Sequence, residues 1–152
     1  MRMHFPLTVG AVLGTPFLAA TAQAQEDPAD QIKYRQNTRS AVGGHVGAMS
    51  LLLRGKVDHP AHLAPHARSL NALAATFEEI FPDGSDLGET KAKAEIWSQP
   101  EAFASAIAKA QVAITAFTAA VEAEDEAAIG PAFKSVGDAC KGCHEEFPQK
   151  DE

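Results

Sequence analysis

Four stretches of this chain space their apolar residues three and four positions apart, and three breaks separate them. Such spacing gathers apolar side chains on one stripe of a helix, whereas a strand needs strict alternation, and no run of alternating β-branched residues occurs. The first stretch opens at Asp27-Pro28, an N-cap followed by proline at the first helical position. Its stripe reads Ile32, Arg35, Arg39, Val42, Val46, Met49 and Leu53, and Gly55 and Pro60 end it. The second carries Leu63, Leu70, Leu73, Phe77, Ile80 and Phe81 and stops at Pro82-Asp83-Gly84.

A longer connection follows, holding the chain's one tryptophan, Trp97. Ser98 with Glu101 has the form of a capping box with Pro100 in the first turn. The third stripe is Phe103, Ile107, Ala110, Ile114, Phe117 and Val121. Asp125 is placed to cap a fourth helix with Ile129, Phe133, Val136, Cys140, Cys143 and Phe147 inward, where Gly130-Pro131 should kink the first turns. Helices apolar on one stripe hide it only against each other, so the pattern predicts an all-α, antiparallel up-down-up-down four-helix bundle.

Ahead of these helices, Arg2 and His4 precede an apolar run from Leu7 to Ala20 and a small-residue end at Ala22-Gln23-Ala24. That order predicts a signal peptide over residues 1–24 and a single mature domain over 25–152, hence export to the bacterial periplasm. The run is interrupted by Gly10, Gly14 and Pro16 and falls short of the ~20 residues that a spanning helix needs. Cleavage would remove only Arg2 of 13 basic residues and none of the 20 acidic ones, leaving a chain more acidic than the net −7 of the full sequence. Such a surface argues against nucleic acid and anionic membranes as partners.

The chain's two cysteines sit in Cys140-Lys141-Gly142-Cys143-His144. On a helix, positions 140, 143 and 144 share a face, so two thiols and an imidazole point the same way. Cys-x-x-Cys-His is the attachment signature of c-type haem, in which each thiol adds across a vinyl group and the histidine reaches iron. The expected cofactor is therefore haem c, covalently held through two thioethers. A thioredoxin-like dithiol belongs at the start of a helix after a strand, a zinc site would need further ligands, and a disulfide would strain a helical i,i+3 pair.

Together with "IKYRQ" at 32–36 and "AEIW" at 94–97, this late Cys-x-x-Cys-His motif resembles the cytochrome c' and cytochrome c-556 group, the class II c-type cytochromes. That family is itself a standard example of the up-down-up-down bundle. The resemblance implies that Cys140 and Cys143 carry the thioethers, that His144 is the iron's protein ligand, and that Arg35 and Gln36 lie at the haem edge, the arginine near a propionate. It also puts Arg39 opposite the iron, where low-spin c-556 proteins have methionine and cytochromes c' an apolar residue. A guanidinium has no lone pair for iron. Met49 lies ~15 Å further along the helix, and His45 turns off that face. Five-coordinate iron follows as the expectation, and with it two functions: electron transfer with periplasmic redox partners, and binding of the diatomic gases NO and CO. The alternatives are a dedicated low-spin c-556-type carrier and a peroxidase-like enzyme using Arg39.

A second departure is Pro148, where the family commonly has arginine; the proline should end the last helix. Related bundles pair through their first two helices, and Gly43, Gly44 and Gly47 permit such a homodimer. His45, His59, His62 and His66 include an i,i+4 pair, but two of them flank a proline turn, where surface histidines commonly bind nothing.

Overall fold

The computed structural model describes residues 27–149; the expected leader, 1–24, lies outside them. Four long elements form the bundle: α1 (Pro28–Leu53), α2 (Leu63–Ala74), α4 (Pro100–Glu122) and α5 (Glu126–Glu146). A single turn, α3 (Glu95–Ser98), precedes α4, and a 3-10 turn at Pro60–His62 leads into α2. No strand occurs among the described residues. Consecutive long helices pack on one another: α1 on α2, α2 on α4, and α4 most extensively on α5. The all-α, up-down-up-down reading holds.

The helix ends follow local chemistry. Asp27 accepts a hydrogen bond from the Ala29 amide at 2.9 Å and caps α1, and Asp125 accepts from Ala128 at 3.1 Å and caps α5. At the other end of α1, Gly55 takes φ +62°, letting its amide reach the Leu52 carbonyl and that of Lys56 reach Leu51, both at 2.9 Å. This satisfies carbonyls that the helix cannot. α5 runs unbroken through Pro131 and stops at Glu146, where Phe147, forced out of helical geometry ahead of Pro148, adopts φ −121°, ψ 70°.

Two expectations fail. The second helix ends at Ala74, not near Phe81; Phe77 and Ile80 lie in turns and Phe81 at a bend. The Gln111 side-chain amide donates to the Ala74 carbonyl at 2.9 Å, so α4 helps satisfy that terminus. Ser98 does not cap α4 either: it is the last residue of α3, and Gln99 occupies the cap position without a side-chain bond. Pro100 at N1 already removes one orphan donor, which lessens the need for a cap.

One core cluster closes one end of the bundle around Met49, Leu70, Ile114, Phe117 and Val136. Every residue of the stripe expected on α4 is buried. Thr118 adds a polar tie, donating to the Ile114 carbonyl at 2.9 Å and to Ala67 on α2 at 3.2 Å. Toward the other end the helices part. The stripe residues Val42 and Val46 of α1 and Cys140 and Cys143 of α5 are half-buried, because they border a cleft.

Candidate functional site

The cleft contains about 1060 Å³ of space free of protein atoms, part of it open to solvent. One wall is α1, through Arg39, Val42, Gly43 and Val46; another is α5, through Cys140, Cys143 and His144. Phe103, Ile107 and Ala110 of α4 form the floor, and Phe77, Ile80, Phe81 and Ile96 close one end. Both thiols and the imidazole therefore do share one face, and that face lines an apolar cleft.

Burial raises the Cys140 thiol above its usual range. It raises Cys143 too, reinforced by Cys140 and Glu146 and partly opposed by Arg39. These are not the acidified thiols of a redox dithiol, which lie at helix N-termini or beside cations that dominate them. His144 is held below the usual imidazole range, first by burial and second by the positive charge of Arg39. Both effects favour the neutral ring, the form whose nitrogen lone pair can bind a metal. The two sulfurs, the neutral imidazole and the apolar walls suit a covalently tethered porphyrin.

An aromatic ladder supports this end of the cleft. Phe147 packs edge-on against Phe103 with ring centroids 5.2 Å apart, Phe103 against Phe81 at 4.9 Å, and Phe81 against Trp97 at 6.0 Å. Trp97 donates from Nε1 to the carbonyls of Phe81 and Pro82 at 3.2 and 3.1 Å. The tryptophan thus anchors both ends of the connection before α4.

Arg35 is 2 % exposed. An arginine this buried needs acceptors, and among the described residues the α2–α3 connection supplies them, beside any haem carboxylate that the family resemblance implies. Its two terminal nitrogens donate to Ser85 Oγ (2.8 Å), the Ser85 carbonyl (3.0 Å), Thr90 Oγ1 (2.8 Å) and, at 3.4 Å, the Ile80 carbonyl. The guanidinium also lies over the Phe81 ring, 4.8 Å from its centroid. Burial, and next Arg39, lower its pKa from the ordinary arginine value. Gln36 is exposed and donates to the Glu89 carbonyl at 3.3 Å, securing the same connection. Arg35, Gln36, Arg39, Ser40, Thr90 and Lys91 line a second, polar cleft. Arg39 is common to both clefts, standing where the apolar space meets the polar one.

Residues 30–148 match the family described as Cytochrome C'. The chain belongs to the cytochrome c' family. Its cofactor is accordingly haem c, consistent with the cysteine pair and histidine on α5. A cytochrome c' of Rhodospirillum rubrum is 34% identical over 142 residues, covering 93% of this chain and 96% of that protein. The solved cytochrome c prime from Shewanella frigidimarina superposes with a TM-score of 0.77 at 35% identity, covering 84% of this chain and all of that one. A nitric oxide complex of a cytochrome c prime variant from Alcaligenes xylosoxidans gives a TM-score of 0.76 at 29% identity over 85% of this chain and 100% of that one.

Of the residues sequence reasoning singled out, Arg39, Cys140, Cys143 and His144 line the apolar cleft, while Arg35 and Gln36 line the polar one. Ser85 and Thr90 were missed as the partners of Arg35. They lie some fifty positions away in a segment without periodicity, where a serine and a threonine carry no distinguishing signal.

Proposed function

We propose that this cytochrome c' family member binds diatomic ligands such as nitric oxide and carbon monoxide at an iron whose sixth position no side chain fills. In this reading Cys140 and Cys143 form the two thioethers, each S–H adding across a vinyl double bond, and His144 is the iron's protein ligand. The haem supplies a reducible iron with an exchangeable site. The rest is the work of the chain. α5 fixes the sulfurs and imidazole on one face, the phenylalanine ladder keeps water from the floor, and Arg39 presents N–H donors from the α1 wall.

One observation carries the proposal: among the residues lining the apolar cleft, His144 is the sole imidazole and there is no methionine. Met49 is packed into the closed core at 0 % exposure, and His45 contacts His66. The nitric oxide complex in the relative from Alcaligenes xylosoxidans supports extending gas binding to this chain. Electron transfer with periplasmic partners remains a compatible role of the same haem, following export through the N-terminal leader. A peroxidase-like role is disfavoured, since no second histidine lines the cleft to move a proton beside Arg39.

The visible spectrum of the reduced protein, with and without carbon monoxide, tests the reading. A high-spin spectrum that shifts on adding the gas is expected. A low-spin spectrum that does not respond would overturn it in favour of a c-556-type carrier.

A further inference from the structure

Away from the cleft, α1 and α2 meet through a pair of histidines. His45 of α1 and His66 of α2 bring their Nδ1 atoms to 2.9 Å, with ring centroids 5.1 Å apart and planes at 63°. It is the one side-chain hydrogen bond between α1 and α2 among the described residues. Both residues are half-buried. As a hydrogen bond, the pair requires one Nδ1 to carry the proton and the other to offer its lone pair.

The same placement suits a different occupant. Two imidazole nitrogens each ~2.0–2.1 Å from a metal ion lie ~2.9 Å apart when they subtend a right angle and ~3.4 Å apart at the tetrahedral angle. The observed separation equals that of two cis ligands; because the shared proton lies on the N–N line and an ion would sit about 1.4–1.5 Å off it, an ion could replace the proton once both rings turn toward a common point. We propose that His45 and His66 form a divalent-metal site of the imidazole-binding class, taking Zn²⁺, Ni²⁺ or Cu²⁺ and joining α1 to α2.

No group of three or more histidine, cysteine, aspartate or glutamate residues suited to a metal occurs among the described residues. The remaining positions on the ion therefore belong to water, which half-buried rings allow. Two neutral nitrogen donors and no carboxylate favour the later first-row ions over Mg²⁺ or Ca²⁺. Nearby, His59 and His62 stack face to face with centroids 5.0 Å apart and planes at 22°. The sequence spacing drew attention to His62 with His66; the structure instead pairs His66 with a residue of the preceding helix. The proposal is independent of what fills the cleft.

Zinc is the suitable probe, being redox-inert toward the haem. Equilibrium dialysis of untagged, haem-loaded protein against Zn²⁺ should show one ion bound per chain, with a rise in thermal midpoint. His45→Gln and His66→Gln should each weaken binding by at least about tenfold and abolish the midpoint shift, while His62→Gln leaves both intact. An unchanged haem spectrum in each variant certifies the fold. Absence of bound zinc at about 100 µM free ion, or binding lost in His62→Gln but kept in His45→Gln, overturns the assignment.

Discussion

Arg35 and Ser85, fifty positions apart, are joined twice: one guanidinium nitrogen donates to the serine hydroxyl at 2.8 Å and the other to its carbonyl at 3.0 Å. The Ser85 hydroxyl in turn donates to the Pro82 carbonyl at 2.8 Å. A charge on α1 thereby organises the connection that closes one end of the apolar cleft.

Replacing Arg35 by leucine should leave the Ser85 and Thr90 acceptors without their donor and cost about 2–4 kcal/mol of stability. Ser85→Ala, which spares the backbone contact, should cost about 1 kcal/mol. Urea unfolding of the haem-loaded variants measures both, and equal effects would show that the hydroxyl, not the whole bonded set, holds the loop.

Arg39→Leu should release a bound diatomic ligand about tenfold faster, the equivalent of losing one hydrogen bond worth ~1.4 kcal/mol. Stopped-flow dissociation of carbon monoxide or nitric oxide reads this directly. An unaltered rate would remove the guanidinium from ligand stabilisation.

Trp97→Phe keeps an aromatic ring against Phe81 but removes the donor to two carbonyls. The expected cost is about 1–2 kcal/mol. Hydrogen exchange should quicken across residues 75–99 while α4 and α5 keep their protection.

Met49→Ala should cost about 2–5 kcal/mol, since Met49 is fully enclosed and its removal leaves a cavity in the closed end of the bundle. Val112→Ala, on an α4 position 71% exposed, should change stability by less than about 0.5 kcal/mol. Thermal unfolding of the pair separates core from surface on helices that share one bundle.

Much of this architecture could be read in advance where one helix face carries a complete message. The α4 stripe is such a case, as are the caps at Asp27 and Asp125 and the stop before Pro148. That Cys140, Cys143 and His144 share a face was legible because helical spacing alone brings 140, 143 and 144 together. Legibility failed where the deciding partner was distant. The end of α2 involves Gln111, and the partners of Arg35 come from an aperiodic segment. His45 meets His66 through the α1–α2 packing register, and no local pattern encodes that register.

α1 leans chiefly on α2 and faces α5 across the cleft rather than packing closely against it. A haem held as proposed, tethered at Cys140 and Cys143, would fill the space between these walls and so serve as mortar as well as reagent. Attachment and completion of the interior would then be a single event, because a group that binds the folded state deepens its stability. A chain that has missed that event would show water an apolar seam and two free sulfhydryls.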